Sequence, residues 1–157
     1  MTEPTLIWIC AAHNPAFRCG GWAYVREVGG QLSGAAGGER YTSARRMALA
    51  GLTASLRGLP AGAAVRVETT SGELAGLAGA LAGTAPPEED LDLWAALLAA
   101  AMGRRLTLAR VAAEPRTPCA FATAWAELGM DKAKAAGAFA AVIPKPNLAK
   151  VAGLALR

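Results

Sequence analysis

Thr5-Leu6-Ile7-Trp8-Ile9-Cys10-Ala11, running on into Ala12-His13-Asn14-Pro15, is the stretch from which the fold is read. Seven residues with almost no polar side chain, ending in an Asn-Pro turn, predict a strand buried on both faces at the centre of an α/β sheet. The end of such a strand is where these folds place their chemistry, and Cys10 stands there. Outward from it, residues 20–28 predict a second strand. Gly29-Gly30 is a hairpin turn, and 31–35 a third, antiparallel strand that Gly37-Gly38 breaks off. Leu49, Leu52, Leu56 and Leu59 recur at helical spacing behind Thr42 or Ser43, either of which can cap the helix, and Gly58 with Pro60 ends it. Residues 65–69 read as a fourth strand, parallel to the first through a crossover. Ser71 caps a helix over 72–81, and 83–90 form an acidic, proline-broken link. Leu91, Trp94, Leu97, Leu98 and Ala101 mark a further helix, and 106–111 the last strand. A final helix over 119–139 turns Phe121, Trp125 and Leu128 to the core. The reading gives one domain over 1–139 and a basic tail, broken by Pro144 and Pro146, over 140–157.

Composition narrows the classes. At 157 residues the chain suits one domain with a core on both faces of a sheet. No apolar run approaches the roughly 20 residues of a membrane span. No basic-then-apolar leader opens it, so a cytoplasmic location is expected. Cys10, Cys19 and Cys119 are an odd number at unrelated spacings, which suggests thiols rather than a disulfide framework. With His13 they would make a zinc site lacking the close Cys-x-x-Cys pairing of structural zinc modules, and buried small hydrophobes are the plainer role. The net charge of +4 is local: residues 1–130 hold eleven Lys and Arg against eleven Asp and Glu, and the rest hold five against Asp131 alone. A basic tail on a neutral body points to an anionic partner or to solubility.

Four short words fall in the right elements at the right intervals. Gly20-Gly21-Trp22-Ala23 follows Asn14-Pro15, Arg46-Met47-Ala48-Leu49 opens the first helix, Thr69-Thr70-Ser71 ends the fourth strand, and Asp92-Leu93-Trp94 lies in the third helix. Over residues 5–139 the chain thereby resembles the type 1 ribonuclease H family. That resemblance implies a ribonuclease H-like α/β fold, a five-stranded mixed sheet of order 3-2-1-4-5 with helices on both faces. It also implies an ancestral chemistry, cleavage of the RNA strand of an RNA–DNA hybrid by two magnesium ions held on four carboxylates. Carried over one at a time, those carboxylate positions fall on Cys10, Ala48, Thr70 and Ala126, and the mobile histidine falls near Glu114. A soft thiol, two methyls and a hydroxyl do not make a magnesium site, so the expectation is no nuclease activity and no cofactor.

The resemblance also implies where nucleic acid would be gripped. Asn14, Thr42 and Ser43 remain as polar candidates, and Arg40, Arg45 and Arg46 can reach phosphates. The family's basic protrusion has become Pro86-Pro87-Glu88-Glu89-Asp90, which repels them. The first expectation is therefore a pseudoenzyme: a binding or scaffold subunit, in a nucleic-acid-associated assembly, whose protein partner or second copy meets Lys145, Lys150, Leu154 and Leu156 of the tail. The alternatives are a hybrid ribonuclease with magnesium on relocated ligands, Glu68 foremost and then Glu114, and a non-catalytic nucleic-acid binder.

Overall fold

The apolar first strand lies where its composition sends it, inside a sheet and between two helical layers. The computed structural model describes residues 4–83 and 88–155. In chain order the elements are β1 (Thr5–Asn14), β2 (Cys19–Val28), β3 (Gln31–Arg40), α1 (Ala44–Leu56), β4 (Ala64–Thr69), α2 (Gly72–Leu81), α3 (Leu91–Ala101), β5 (Arg105–Arg110), α4 (Pro118–Ala136), β6 (Phe139–Val142) and α5 (Lys145–Ala155). The sheet order is β5-β4-β1-β2-β3-β6. Here β1, β4 and β5 run parallel, while β2, β3 and β6 continue as antiparallel neighbours. Alternation along β1 splits the core in two. Ile7 and Ile9 join Met47, Leu49, Leu52, Leu56, Trp94 and Leu97 under α1 and α3. Trp8 and Cys10 join Ala122, Ala126, Ile143, Leu148 and Val151 under α4 and α5.

The α4 layer is set by glycine. A Cβ at Gly21 would overlap the carbonyl oxygen of Ala126 and come within 2.5 Å of the Met130 amide nitrogen, and one at Gly129 would lie 2.5 Å from the Gly37 carbonyl oxygen. One at Gly38 would overlap the Gly129 carbonyl. Helix and sheet backbones thus touch with nothing between them, and only small side chains fit under the helix: Cys119, Ala122, Ala126, Gly129 and Ala133 are its buried residues. At the far end, Arg40 donates from Nε to the Ala133 carbonyl (3.1 Å), which also accepts the Gly137 amide, and from Nη2 to that of Lys134 (2.9 Å) in the last turn.

Several expectations are corrected. The sheet has six strands, not five, because Gly137 (φ 96°) ends α4 at Ala136 and turns the chain back along the open edge of β3. The stretch expected as a proline-broken tail carries β6 and then α5, whose Leu148 and Val151 are buried; Lys145 and Lys150 are exposed, Leu154 is half-buried, and Leu156 falls outside the described residues. β1 continues to Asn14, so Cys10 lies within the strand. β3 continues through Gly37-Gly38 to Arg40, since those glycines accommodate the Trp22 ring and α4 rather than breaking the strand. Leu128, expected inside, is 58% exposed because the seat beneath α4 admits no leucine, and Leu98 is 51% exposed beside β5. Pro86 and Pro87 of the acidic link also fall outside the described residues.

Gly21→Ala is expected to cost about 3 kcal/mol, the upper range for overpacking a fixed core. Gly76→Ala, at a helical glycine with open space around it, is expected to raise stability by about 0.5–1 kcal/mol. Urea unfolding midpoints of the two variants check both signs.

Candidate functional site

Cys10 is 2% exposed and faces α4. Its Sγ lies 3.5 Å from Thr70 Oγ1 at the end of β4, 3.6 Å from the Cys119 carbonyl oxygen, and 3.0 Å from Thr123 Oγ1. Thr123 sits one helical turn beyond Cys119, and its hydroxyl is also 2.8 Å from the Cys119 carbonyl, so its one proton serves either acceptor. The hydrogen bond with Cys119 lowers the Cys10 thiol to about 5 from the ordinary 9.0; burial opposes this, and Thr123 and Thr70 add to it. The same bond, with burial, pushes the Cys119 thiol up, and the Cys119 Sγ donates to the Glu68 carbonyl at 3.5 Å. Of the other positions, Ala126 packs in the Cys10 cluster, and Ala48, fully buried, packs in the opposite cluster under α1. Thr123 was not singled out from the sequence; its signal is its place on the α4 face that also carries Cys119 and Ala126.

Most candidate nucleic-acid contacts are occupied by the fold. Asn14 Oδ1 accepts from the amides of Ala16 (3.0 Å) and Phe17 (3.4 Å), holding the β1–β2 turn. Ser43 caps α1 by accepting from the Arg46 amide at 3.1 Å. The Thr42 amide donates to the Arg18 carbonyl, its own carbonyl lies 3.1 Å from His13 Nε2, and its hydroxyl is buried with no partner among the described residues. Arg46 reaches Asp90 at 2.9 Å and Asp92 at 3.1 Å, and Arg45 lies 3.8 Å from Asp90. The Arg46 bonds lower the Asp92 carboxyl. These pairs tie α1 to α3 and hold Asp90 in the left-handed region (φ 56°). Arg40 is spent on the end of α4.

Glu68 takes its charge partner from its own strand, with Arg66 Nε 3.1 Å from Oε2. Glu68, Glu114, Trp8, Thr117 and Cys119 line one surface pocket of about 230 Å³; Thr70, Thr123 and Glu114 line a neighbouring one of about 310 Å³. Among the described residues no three His, Cys, Asp or Glu side chains converge as a metal would require. The donors at Cys10, Ala48, Thr70 and Ala126 do not fit a hard divalent cation, which takes carboxylate, carbonyl and water oxygens. No described helix is long and apolar enough to cross a membrane.

A thiolate held by the fold has a pH signature. The depressed Cys10 pKa contributes stability that is complete above the unfolded thiol value of 9.0 and is lost as pH falls through about 5. Ultraviolet thiolate absorbance of the native protein is expected to titrate near pH 5. The step should vanish in Cys10→Ala and move upward in Thr123→Val, which removes one donor. Between pH 5 and 9 the urea midpoint should rise less steeply in Cys10→Ala than in the parent.

No family model matches the chain, and no curated protein matches its sequence. Solved structures do match its fold. The N-terminal ribonuclease H domain of Rv2228c from Mycobacterium tuberculosis, solved as a fusion with maltose-binding protein, superposes with a TM-score of 0.67 at 18% identity, over 85% of this chain and 97% of that one. LC9-RNase H1, a type 1 ribonuclease H with the type 2 active-site motif, superposes with a TM-score of 0.64 at 16% identity, over 83% of this chain and 74% of that one. With the mixed sheet, the parallel β1-β4-β5 half and helices on both faces, these likenesses establish that the chain has the ribonuclease H-like fold.

Proposed function

We propose that this chain is a ribonuclease H-like domain that does not cleave, kept as a binding or scaffold subunit whose main partner is a protein, in the reducing cytoplasm. The reading is carried by the donor set at Cys10, Ala48, Thr70 and Ala126, the positions that the resemblance maps onto the family's metal carboxylates. Two-metal hydrolysis stabilises charge on the attacking and leaving oxygens through the ions, and without anionic oxygen ligands that stabilisation has no anchor. Four carboxylates facing each other without metal would repel; a thiol, a hydroxyl and two methyls pack instead. A protein partner is favoured over nucleic acid because Arg40 and Arg46, and more loosely Arg45, are held at the surface by the chain's own carbonyls and carboxylates. The three cysteines are free and buried, which suits a reducing compartment.

One observation favours a second reading, a hybrid ribonuclease with relocated ligands: Glu68 and Glu114 line the same pocket. A labelled RNA–DNA hybrid incubated with the pure protein separates the two. The expected outcome is an intact hybrid in magnesium and in manganese, with no salt-sensitive retention on the protein. Cleavage abolished by Glu68→Gln would establish the relocated site instead. Retention that weakens steeply with salt, without cleavage, would make the chain a nucleic-acid binder.

A further inference from the structure

The two edges of the sheet are treated differently. The β3 edge is covered by β6, whereas β5 ends the sheet with no described strand beyond it. The Arg105 amide donates to the Ala63 carbonyl (2.9 Å) and that of Val111 to the Thr69 carbonyl (2.8 Å), so the odd-numbered residues face β4. The amides and carbonyls of Leu106, Leu108 and Arg110 therefore point away from the sheet, free to form a ladder. Beside this edge lies an apolar groove of about 500 Å³ lined by Leu81, Leu98, Ala101, Met102, Leu106 and Leu108. Two of its walls are unusually bare, with Leu98 51% and Met102 77% exposed.

The charge around the edge selects the occupant. Arg105 and Arg110 are exposed at the two ends of β5 and make no ion pair among the described residues, and β5 carries no acid. Arg66, 55% exposed and paired with Glu68, stands next to Thr107 on the face opposite the groove, the face that also carries Arg105. A second copy pairing β5 to β5 would gather four arginines and no acid along one short ladder, and like charges across a ladder destabilise it. A strand with apolar residues on one face and acids on the other meets neither difficulty.

We propose that the β5 edge and its groove receive an extended acidic segment of a partner protein as a seventh strand. Its alternate apolar side chains enter the groove between α2, α3 and β5, and its acids, on the opposite face, meet Arg105, while Arg110 stands on the groove face beside Gly72 at the start of α2. This gives the scaffold reading its partner chemistry and rests on that reading. Main-chain bonds to Leu106, Leu108 and Arg110 supply affinity, and the alternation supplies selection.

A short fluorescein-labelled peptide alternating valine and glutamate, titrated against the full chain and followed by anisotropy, tests the proposal. Saturable binding is expected, weakened by salt and by Arg105→Glu, and lost by about tenfold or more in Met102→Glu. The same peptide with lysine for glutamate, or with a central proline, is expected not to bind. Both substitutions are at exposed side chains, and circular dichroism confirms that the variants fold. Absent binding, equal binding of the lysine peptide, or full binding by both variants overturns the proposal. So does a dimer in sedimentation that Arg105→Glu dissolves, which would make a second copy the occupant. The hybrid assay stays independent: an uncut hybrid with no peptide binding removes this surface and leaves the scaffold reading, and a cut hybrid removes that reading.

Discussion

Contact between helix and sheet backbones at Gly21, Gly37, Gly38 and Gly129 is the constraint on which the rest of the structure depends. A helix normally stands about 10 Å from a neighbouring layer on its side chains; α4 sits closer because there are none between it and β2–β3. Close seating makes Ala122, Ala126 and Ala133 sufficient to seal that face, and it brings Cys119 and Thr123 onto β1 beside Cys10. It also forces bulk outward, which is why Phe121 and Trp125 pack at the margin and Leu128 faces solvent. The Arg40 bonds to the end of α4 and the turn at Gly137 then place β6 on β3.

Much of this was legible from the chain. The unbroken apolar run of β1, the leucines of α1 at helical spacing and the serine caps at Ser43 and Ser71 all form as their patterns predict, because local propensity and burial agree at those positions. What was not legible involves tertiary contact overriding local preference. Gly37-Gly38 look like a strand break by propensity, yet they sit inside β3 because Trp22 and α4 need the room. Phe139–Val142 is too short and too plain to announce a strand; it becomes one only because the β3 edge offers a ladder. The same blindness covers the site. That Arg45 and Arg46 pair with acids more than forty residues away at the start of α3 is invisible to spacing, so cations read as phosphate contacts also brace α1 against α3.

The thiol cluster joins three elements at Cys10 of the first strand. Cys10 keeps polar company in Thr70 and Thr123, which with Cys119 hold its thiol below the ordinary value, while Cys119, whose Sγ meets the Glu68 carbonyl, is pushed up. Such a group does not suit a hard cation: its sulfur is soft, Ala126 beside it offers no oxygen, and Ala48 lies in the opposite cluster under α1. Its role in the fold is cohesion, tying β1, β4 and α4 at the point where three elements meet.

That role moves the functional question from the centre of the sheet to its margins. A domain whose central cluster is buried still has to end its sheet somewhere. Proteins close exposed edges because an open ladder recruits strands without discrimination. Here one edge is closed by β6, and among the described residues no strand lies beyond the other, which carries arginines at its ends. Arginine on an edge repels a like copy while leaving the ladder usable by an acidic strand, so a single feature supplies both solubility and selectivity. Such an edge is flanked by exposed Leu98 and Met102, so the apolar groove and the main-chain ladder lie side by side.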